Sequence, residues 1–308
     1  MIDVAEVEAE FIGAAARRGV LIRNLIANGH IQRCDAEGRG GRNDATYLLH
    51  LDGRPAGGFE NHRDGLGWEK WKADLPYAMS EVERRALSIQ AKDARRRREE
   101  EQRLSYEAAA KRAEALLVRC EPVDPSHPYL VRKGIKPHGI LQLRDSLVVP
   151  VRTADSVLQS LQFIREDGSK CFLKGGRTSG CGFRLQAKPS LSPVRIIAEG
   201  FATAATLHEA TGLVCYVAYN AQNLKPVAEA LRHHRPDLHI IIASDDDWKT
   251  PGNPGITSAR EAAAAVGGLI IIPRFGSDRG DRDTDFNDVA QRYGLDEVRD
   301  QILAVAGC

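Results

Sequence analysis

The chain is predicted to be an α/β protein: a parallel sheet with flanking helices, preceded by a mixed α+β subdomain, a long helical linker and a small α+β N-terminal domain. Three observations carry this reading. From residue 194 onward, apolar strand-like runs alternate with helical runs, the βαβα pattern of a parallel sheet covered by helices. Residues 80–118 hold neither Gly nor Pro and are dense in charge, the texture of a long solvated helix. The first 75 residues change from an Ala- and Glu-rich helical spacing to short β-like runs broken by Gly.

Composition bounds the rest. The 308 residues, 43% apolar and 28% charged, make two or three globular domains and exclude a collagen-like, disulfide-scaffold or wholly disordered chain. No apolar run approaches the roughly 18 residues of a membrane span, so no membrane partner is expected. The opening Met-Ile-Asp-Val-Ala-Glu places acids where a secretory signal needs basic residues, so export is not expected. Six cysteines without a Cys-x-x-Cys pair read as reduced thiols in a cytoplasm. The net charge of +1 hides segregation, with a basic block at Arg95–Arg98 and acids gathered toward the C-terminal side.

Taken in order, Val4, Val7, Phe11 and Ile12 space a helix over 3–17. Strands follow at 30–33 and 45–51, joined by the Gly-rich stretch 38–42, with Asp52-Gly53 as a tight turn. Ser80 with Glu83 forms a capping-box pattern opening a helix to about 118. Pro122, Pro125 and Pro128 end it. Strands at 146–151, 158–165 and 171–173 come next, with a hairpin turn at Asp167-Gly168. The parallel array then places strands at 194–198, 214–219, 239–244 and 268–273, and helices at 203–211, 224–234 and 256–265. The expected domains are therefore 1–75, a linker 76–120, a subdomain 121–193 and the parallel-sheet domain 194–308.

Acids fall where those strands end. Glu199-Gly200 follows the first, Asp245-Asp246-Asp247 the third, and Asp283-Thr-Asp285-Phe-Asn287-Asp288 makes a loop after the fourth. Ligands of open parallel sheets bind at the carboxyl ends of strands, so these carboxylates would converge. Grouped carboxylates repel and are costly to bury without a cation, and Mg²⁺ or Mn²⁺ is the natural occupant. Asp246 and Asp283 read instead as turn formers and helix caps.

Glu-Gly after one apolar strand and Asp-x-Asp after another resemble the Toprim domain of bacterial primases, topoisomerases and some nucleases, over residues 194 to about 303. The loop Asp285-Phe-Asn287-Asp288 is similar to the primase branch, with Asn287 where replicative primases often carry Asp and Thr203 where they carry Asp. Upstream, Gly168-Ser-Lys170-Cys-Phe-Leu-Lys174-Gly-Gly-Arg177 resembles a lysine-bearing strand of the primase core, and residues 122–303 look closest to primases of conjugative plasmids and phages. The resemblance implies a DNA primase making short RNA primers on single-stranded DNA by two-metal nucleotidyl transfer. It implies catalytic Glu199, Asp245 and Asp247, and two Mg²⁺ or Mn²⁺ ions on these and Asp285. It further implies nucleotide or template contacts at Lys170 and, more distantly, Arg165, Lys174 and Arg177. Asn220 and Asn223 suit either a ribose or phosphate contact or turn chemistry at a helix start. His127, between prolines at a junction, reads as structural. The expected partners are a single-stranded DNA template, ribonucleoside triphosphates and a separate helicase, since no P-loop is present. A Toprim nuclease and a catalytically idle nucleic-acid-binding module remain the alternatives; a topoisomerase would need a further tyrosine-bearing domain.

Zinc is not expected in residues 1–75, where Cys34 stands with His30, His50 and His62 but without a Cys-x₂₋₄-Cys pair. Arg33, Arg42, Tyr47, Trp68 and Trp71 interleave charge with aromatics, which suits single-stranded DNA through phosphate pairing and base stacking, or else a core.

Overall fold

A computed structural model describes residues 4–38, 40–52, 54–74, 81–185 and 192–306. Gly53 of the expected turn and Ser80 of the expected capping box lie outside the described residues. The chain forms two compact units, 1–103 and 104–308.

In the first unit, helix α1 (Val4–Arg17) buries Val7, Phe11, Ala14 and Ala15, one stripe at helical spacing. It covers a five-stranded antiparallel sheet of consecutive neighbours: β1 (Val20–Leu21), β2 (Gln32–Ala36), β3 (Ala45–His50), β4 (Ala56–Asn61) and β5 (Glu69–Lys72). Alternation in β3 sends Ala45, Tyr47 and Leu49 inward, where they meet Phe11 and Phe59. Helix α2 (Glu81–Leu117) starts in this unit and ends in the second.

The second unit holds two sheets. The first is antiparallel, in order β10-β9-β8-β7-β6, built from β6 (Glu121–Pro122), β7 (Leu141–Leu143), β8 (Ser146–Arg152), β9 (Leu158–Arg165) and β10 (Lys170–Phe172). Strand β8 reads as an unbroken apolar run because both its faces are covered. Val148, with Leu158 and Leu161, packs under Ala113, Leu116 and Leu117 of α2. Leu147, Val149 and Val151 point the other way, into a core shared with Ile196 and Phe201. Between β6 and β7 the short helix α3 (Pro128–Lys133) is capped by buried His127, whose Nδ1 accepts from the Tyr129 backbone N–H.

The second sheet runs β11-β13-β12-β14-β15: β11 (Phe183–Leu185), β12 (Val194–Ala198), β13 (Val214–Val217), β14 (His239–Ala243) and β15 (Leu269–Ile271). The last four are parallel, and β11 adds an antiparallel edge. Helix α4 (Phe201–Thr211), with α7 (Phe286–Tyr293) and α8 (Leu295–Ala306), covers one face; α5 (Leu224–His234) and α6 (Pro254–Val266) cover the other. The strand order therefore reverses between β12 and β14, the switch point where doubly wound sheets open a crevice at their carboxyl ends. Strand β11, α7 and α8 were not foreseen, and the expected loop at 285–288 is the start of α7. Asp285 is its N-cap, and Asp288 completes a capping box.

Candidate active site

Glu199 leaves the end of β12 and Asp245 follows the end of β14, so the two stand on either side of the switch point. Asp247 lies one turn of loop further. Its Oδ2 accepts from the Gly255 backbone N–H at 3.0 Å, at the start of α6. Asp285 comes in from the α7 cap; its Oδ1 accepts from the Asp288 N–H at 3.0 Å and its Oδ2 from the Thr203 hydroxyl at 3.1 Å. Thr203, on the first turn of α4, thus holds a site carboxylate in place.

The four acids feel one another's charge. Burial, then the negative charges of Asp247 and Asp285, push the Glu199 carboxyl up to about 7, against the opposing pull of Lys170. Asp245 is raised well above the ordinary carboxylate range, by burial first and then by Glu199, Asp285 and Asp247. Its Oδ1 is buried with no hydrogen-bond partner, a placement that normally costs about 1–3 kcal/mol and demands a reason. Lys170, first residue of β10, brings its Nζ to 3.7 Å from where a Cβ on Gly200 would lie. The donor set is all oxygen and fits a hard divalent cation. Among the described residues no three His, Cys, Asp or Glu side chains are gathered into a ready-made metal cage. Mg²⁺ would keep waters here and take one or two of these carboxylates together with substrate phosphates.

Around these acids the loop is clamped by residues that carry no reaction. Asn253 accepts at Oδ1 from the Asp247 and Ile256 N–H groups and donates from Nδ2 to Asp246. Arg279 pairs with Asp246 at 2.7 Å and lies over the Trp248 and Phe275 rings. Asp283 accepts from Arg292 and from the Gly280 N–H. Asn287 is buried, donating to the Lys133 carbonyl and to Thr206. Arg279 and Asn253 were not legible as scaffold; the Asn253-Pro-Gly run was the signal for the second.

Other expected site residues separate. Arg165, Lys174 and Arg177 are exposed on the β9–β10 hairpin and the loop after it. Arg165 donates to Ser169 and Arg177 to the Ser179 carbonyl. Asn220 accepts from the Asn223 N–H as a helix cap. Asn223 itself is only 5% exposed. Its Nδ2 donates to the Thr178, Cys181 and Ala218 carbonyls and its Oδ1 accepts from the Gly180 N–H. Its amide is used up in holding that loop, which removes it from the ligand contacts.

In the first unit Tyr47 is 2% exposed, its hydroxyl accepting from the Ile26 N–H and donating to the Asn24 carbonyl, so it belongs to the core and not to a stacking surface. Trp71 is half-buried and packs edge-on to Phe11, with centroids 5.2 Å apart, against the same core. Trp68 is 39% exposed, and Arg33 and Arg42 are exposed. In the basic block, Arg95, Arg96 and Arg98 are paired with Glu99, Asp93 and Asp52.

Fold and site together define a class. Residues 194–296 match the Toprim domain family, and the chain carries a Toprim domain. The chain is 38% identical over 282 residues to the DNA primase TraC of Escherichia coli, a match covering 87% of this chain and 26% of the relative. A second DNA primase TraC of Escherichia coli is 36% identical over 260 residues, covering 81% and 18%. The chain thus spans about a quarter or less of the length of these curated relatives. Among solved structures, the Aquifex aeolicus primase (zinc-binding and RNA polymerase domains) aligns at 13% identity and a TM-score of 0.43, covering 99% of this chain and 83% of that one.

Proposed function

We propose that the chain is the primer-synthesising part of a DNA primase, joining ribonucleotides into short RNA on a single-stranded DNA template. The observation that carries the reading is the group Glu199, Asp245, Asp247 and Asp285 at the sheet's switch point, with an unpartnered buried oxygen on Asp245 and Lys170 alongside. Identity to the TraC primases supports it.

Glu199 and Asp245 would hold one Mg²⁺ or Mn²⁺, and Asp247 with Asp285 a second. Ions held there would supply neutralising charge for a triphosphate and its leaving pyrophosphate and a lowered pKa for an attacking 3′-hydroxyl. The chain's own residues do the positioning. Lys170 faces the acids from the neighbouring sheet and pairs with the nucleotide's phosphates. Arg165, Lys174 and Arg177 extend that positive edge along the hairpin toward a template backbone. Asn253 and Gly255 fix the Asp245–Asp247 loop, so the carboxylates meet their ligand without rearranging. In the first unit, Trp68 with Arg33 and Arg42 supplies a stacking ring and phosphate partners for single-stranded DNA. Unwinding falls to a separate helicase.

The test supplies single-stranded DNA, labelled ribonucleoside triphosphates and Mg²⁺ or Mn²⁺. Oligoribonucleotide synthesis is the expected result. Shortening of the DNA without synthesis would replace this reading with a Toprim nuclease, and binding alone would replace it with an idle module.

A further inference from the structure

A recess of about 110 Å³ opens far from the acid cluster, between the β11–β13–β12 side of the sheet, the end of α5 and the β8–β9 turn. Its polar wall is Arg152, Arg184, Arg195, Tyr216, His234 and Arg235. The strand register explains the gathering. Arg184 lies directly opposite Tyr216, and Tyr216 opposite Ile197, two residues beyond Arg195 on β12. Cross-strand partners and i, i+2 neighbours share a face, so the two guanidiniums and the phenol all leave on the side covered by α5.

Two of the six have a carboxylate partner: His234 in Asp155 and Arg235 in Asp237, each at 2.8 Å. Among the described residues, Arg152, Arg184 and Arg195 have no acidic partner. Arg195 is 5% exposed. Its Nη1 donates to the Ser192 and Val194 carbonyls at 2.6 and 2.8 Å, bonds that use two of its five N–H hydrogens and bring no negative charge to it. Burial lowers its pKa, and the positive charges of Arg184 and Arg235 add to this while Tyr216 opposes it. A buried cation surrounded by others is an expensive arrangement that a bound anion would relieve.

We propose that this recess is a binding site for the phosphoryl group of a small phosphate ligand. Arginine forks match phosphate oxygens in pairs, and Tyr216 offers a hydroxyl beside them. The volume of about 110 Å³ is smaller than an enclosed apolar cavity of about 150 Å³ that takes benzene, and suits one phosphoryl group. A recess of that size takes a terminal or free phosphate more readily than a diester, whose chain must leave on two sides. Arg195 and Glu199 stand four residues apart on one extended segment, about 13 Å, so the ligand occupies a place separate from the acids and does not rest on their assigned chemistry.

Calorimetric titration of the full chain with inorganic phosphate, at constant ionic strength and with EDTA present, tests the site. Saturable one-to-one binding is expected, weakened about tenfold or more by Arg184→Ala or Arg152→Ala, and unchanged by Arg260→Ala on the far side of α6 or by Asp245→Asn. Arg195→Gln should abolish it; the variants of half-buried Arg152 and exposed Arg184 keep the test decisive if that protein fails to fold. A parallel titration with adenosine monophosphate separates the sources. Equal affinity assigns the site to free phosphate, and tighter binding that Arg184→Ala weakens assigns it to a nucleotide's phosphate. No saturable binding of either, or binding indifferent to all three arginines, would overturn the proposal. So would arginine-dependent binding confined to an oligonucleotide lacking terminal phosphates, which would make the recess a backbone contact.

Discussion

Glu199 is the residue whose chemistry is most exposed to measurement. Its folded pKa of about 7 lies above the ordinary 4.5, so protonation favours the folded state. That contribution is complete below pH 4.5 and is lost as pH rises through about 7. Asp245 is shifted in the same direction. In EDTA the melting temperature should therefore fall between about pH 5 and 8, and Glu199→Gln should flatten the fall. Added Mg²⁺ should raise the melting temperature more at pH 8 than at pH 5.5, because the ion competes with protons for the same oxygens. Scanning calorimetry across that range checks both, and a metal-free melting temperature that rises with pH would contradict the assignment. Asn223 gives the complementary case. Asn223→Ala should cost about 2–4 kcal/mol in denaturant titration, the loss of an internal clamp; a variant as stable as the parent would return Asn223 to the list of ligand contacts. At this scale the acids were legible because strand ends announce themselves by an apolar run breaking into carboxylates. The roles of Asn223 and Tyr47 were not, since a side chain spent on internal carbonyls has the same letter as one that faces a ligand.

Elements were read best where periodicity is strong. Helix α5 and strands β9 and β12 fall where the pattern places them. Strand β11 escaped because three residues, Phe183–Leu185, carry too little alternation to stand out. Helix α7 escaped because its first turn is built from the same Asp285 and Asp288 that read as a ligand loop; the capping box and the acidic motif share one spelling. Helix α6 shows how an element can shape a site from outside it. A Cβ on Gly255 would collide with the Asp245 carbonyl oxygen and lie 3.0 Å from Asp247 Oδ2. Gly255→Ala should therefore displace the Asp245–Asp247 loop, costing about 1–3 kcal/mol and most of the proposed primer synthesis. The urea midpoint and the initial rate check this together. Full activity in that variant would show that the loop tolerates being moved.

At the scale of the molecule, the helix read from sequence as a linker proves to be partly core. Its last turns place Ala113, Leu116 and Leu117 over Val148, Leu158 and Leu161. A fragment beginning at Leu104 should thus be more stable than one beginning at Pro122, by about 2–5 kcal/mol for the uncovered leucines. Denaturant titration of the two decides it, and equal midpoints would mean that the helix end contributes no packing. Charge density hid this, because only one narrow stripe of a highly charged helix needs to be apolar to close a sheet. The central claim, that the Toprim acids of this chain make RNA on DNA, is tested most directly by one comparison. Parent and Asp245→Asn proteins are given a single-stranded DNA of defined sequence, α-labelled ribonucleotides and Mg²⁺, and product is quantified on a gel. The parent should yield short RNA complementary to the template, and the variant, keeping its shape and a melting temperature in EDTA no lower than the parent's, should fall to background. Synthesis by the variant within twofold of the parent, or none by the parent, would contradict the account.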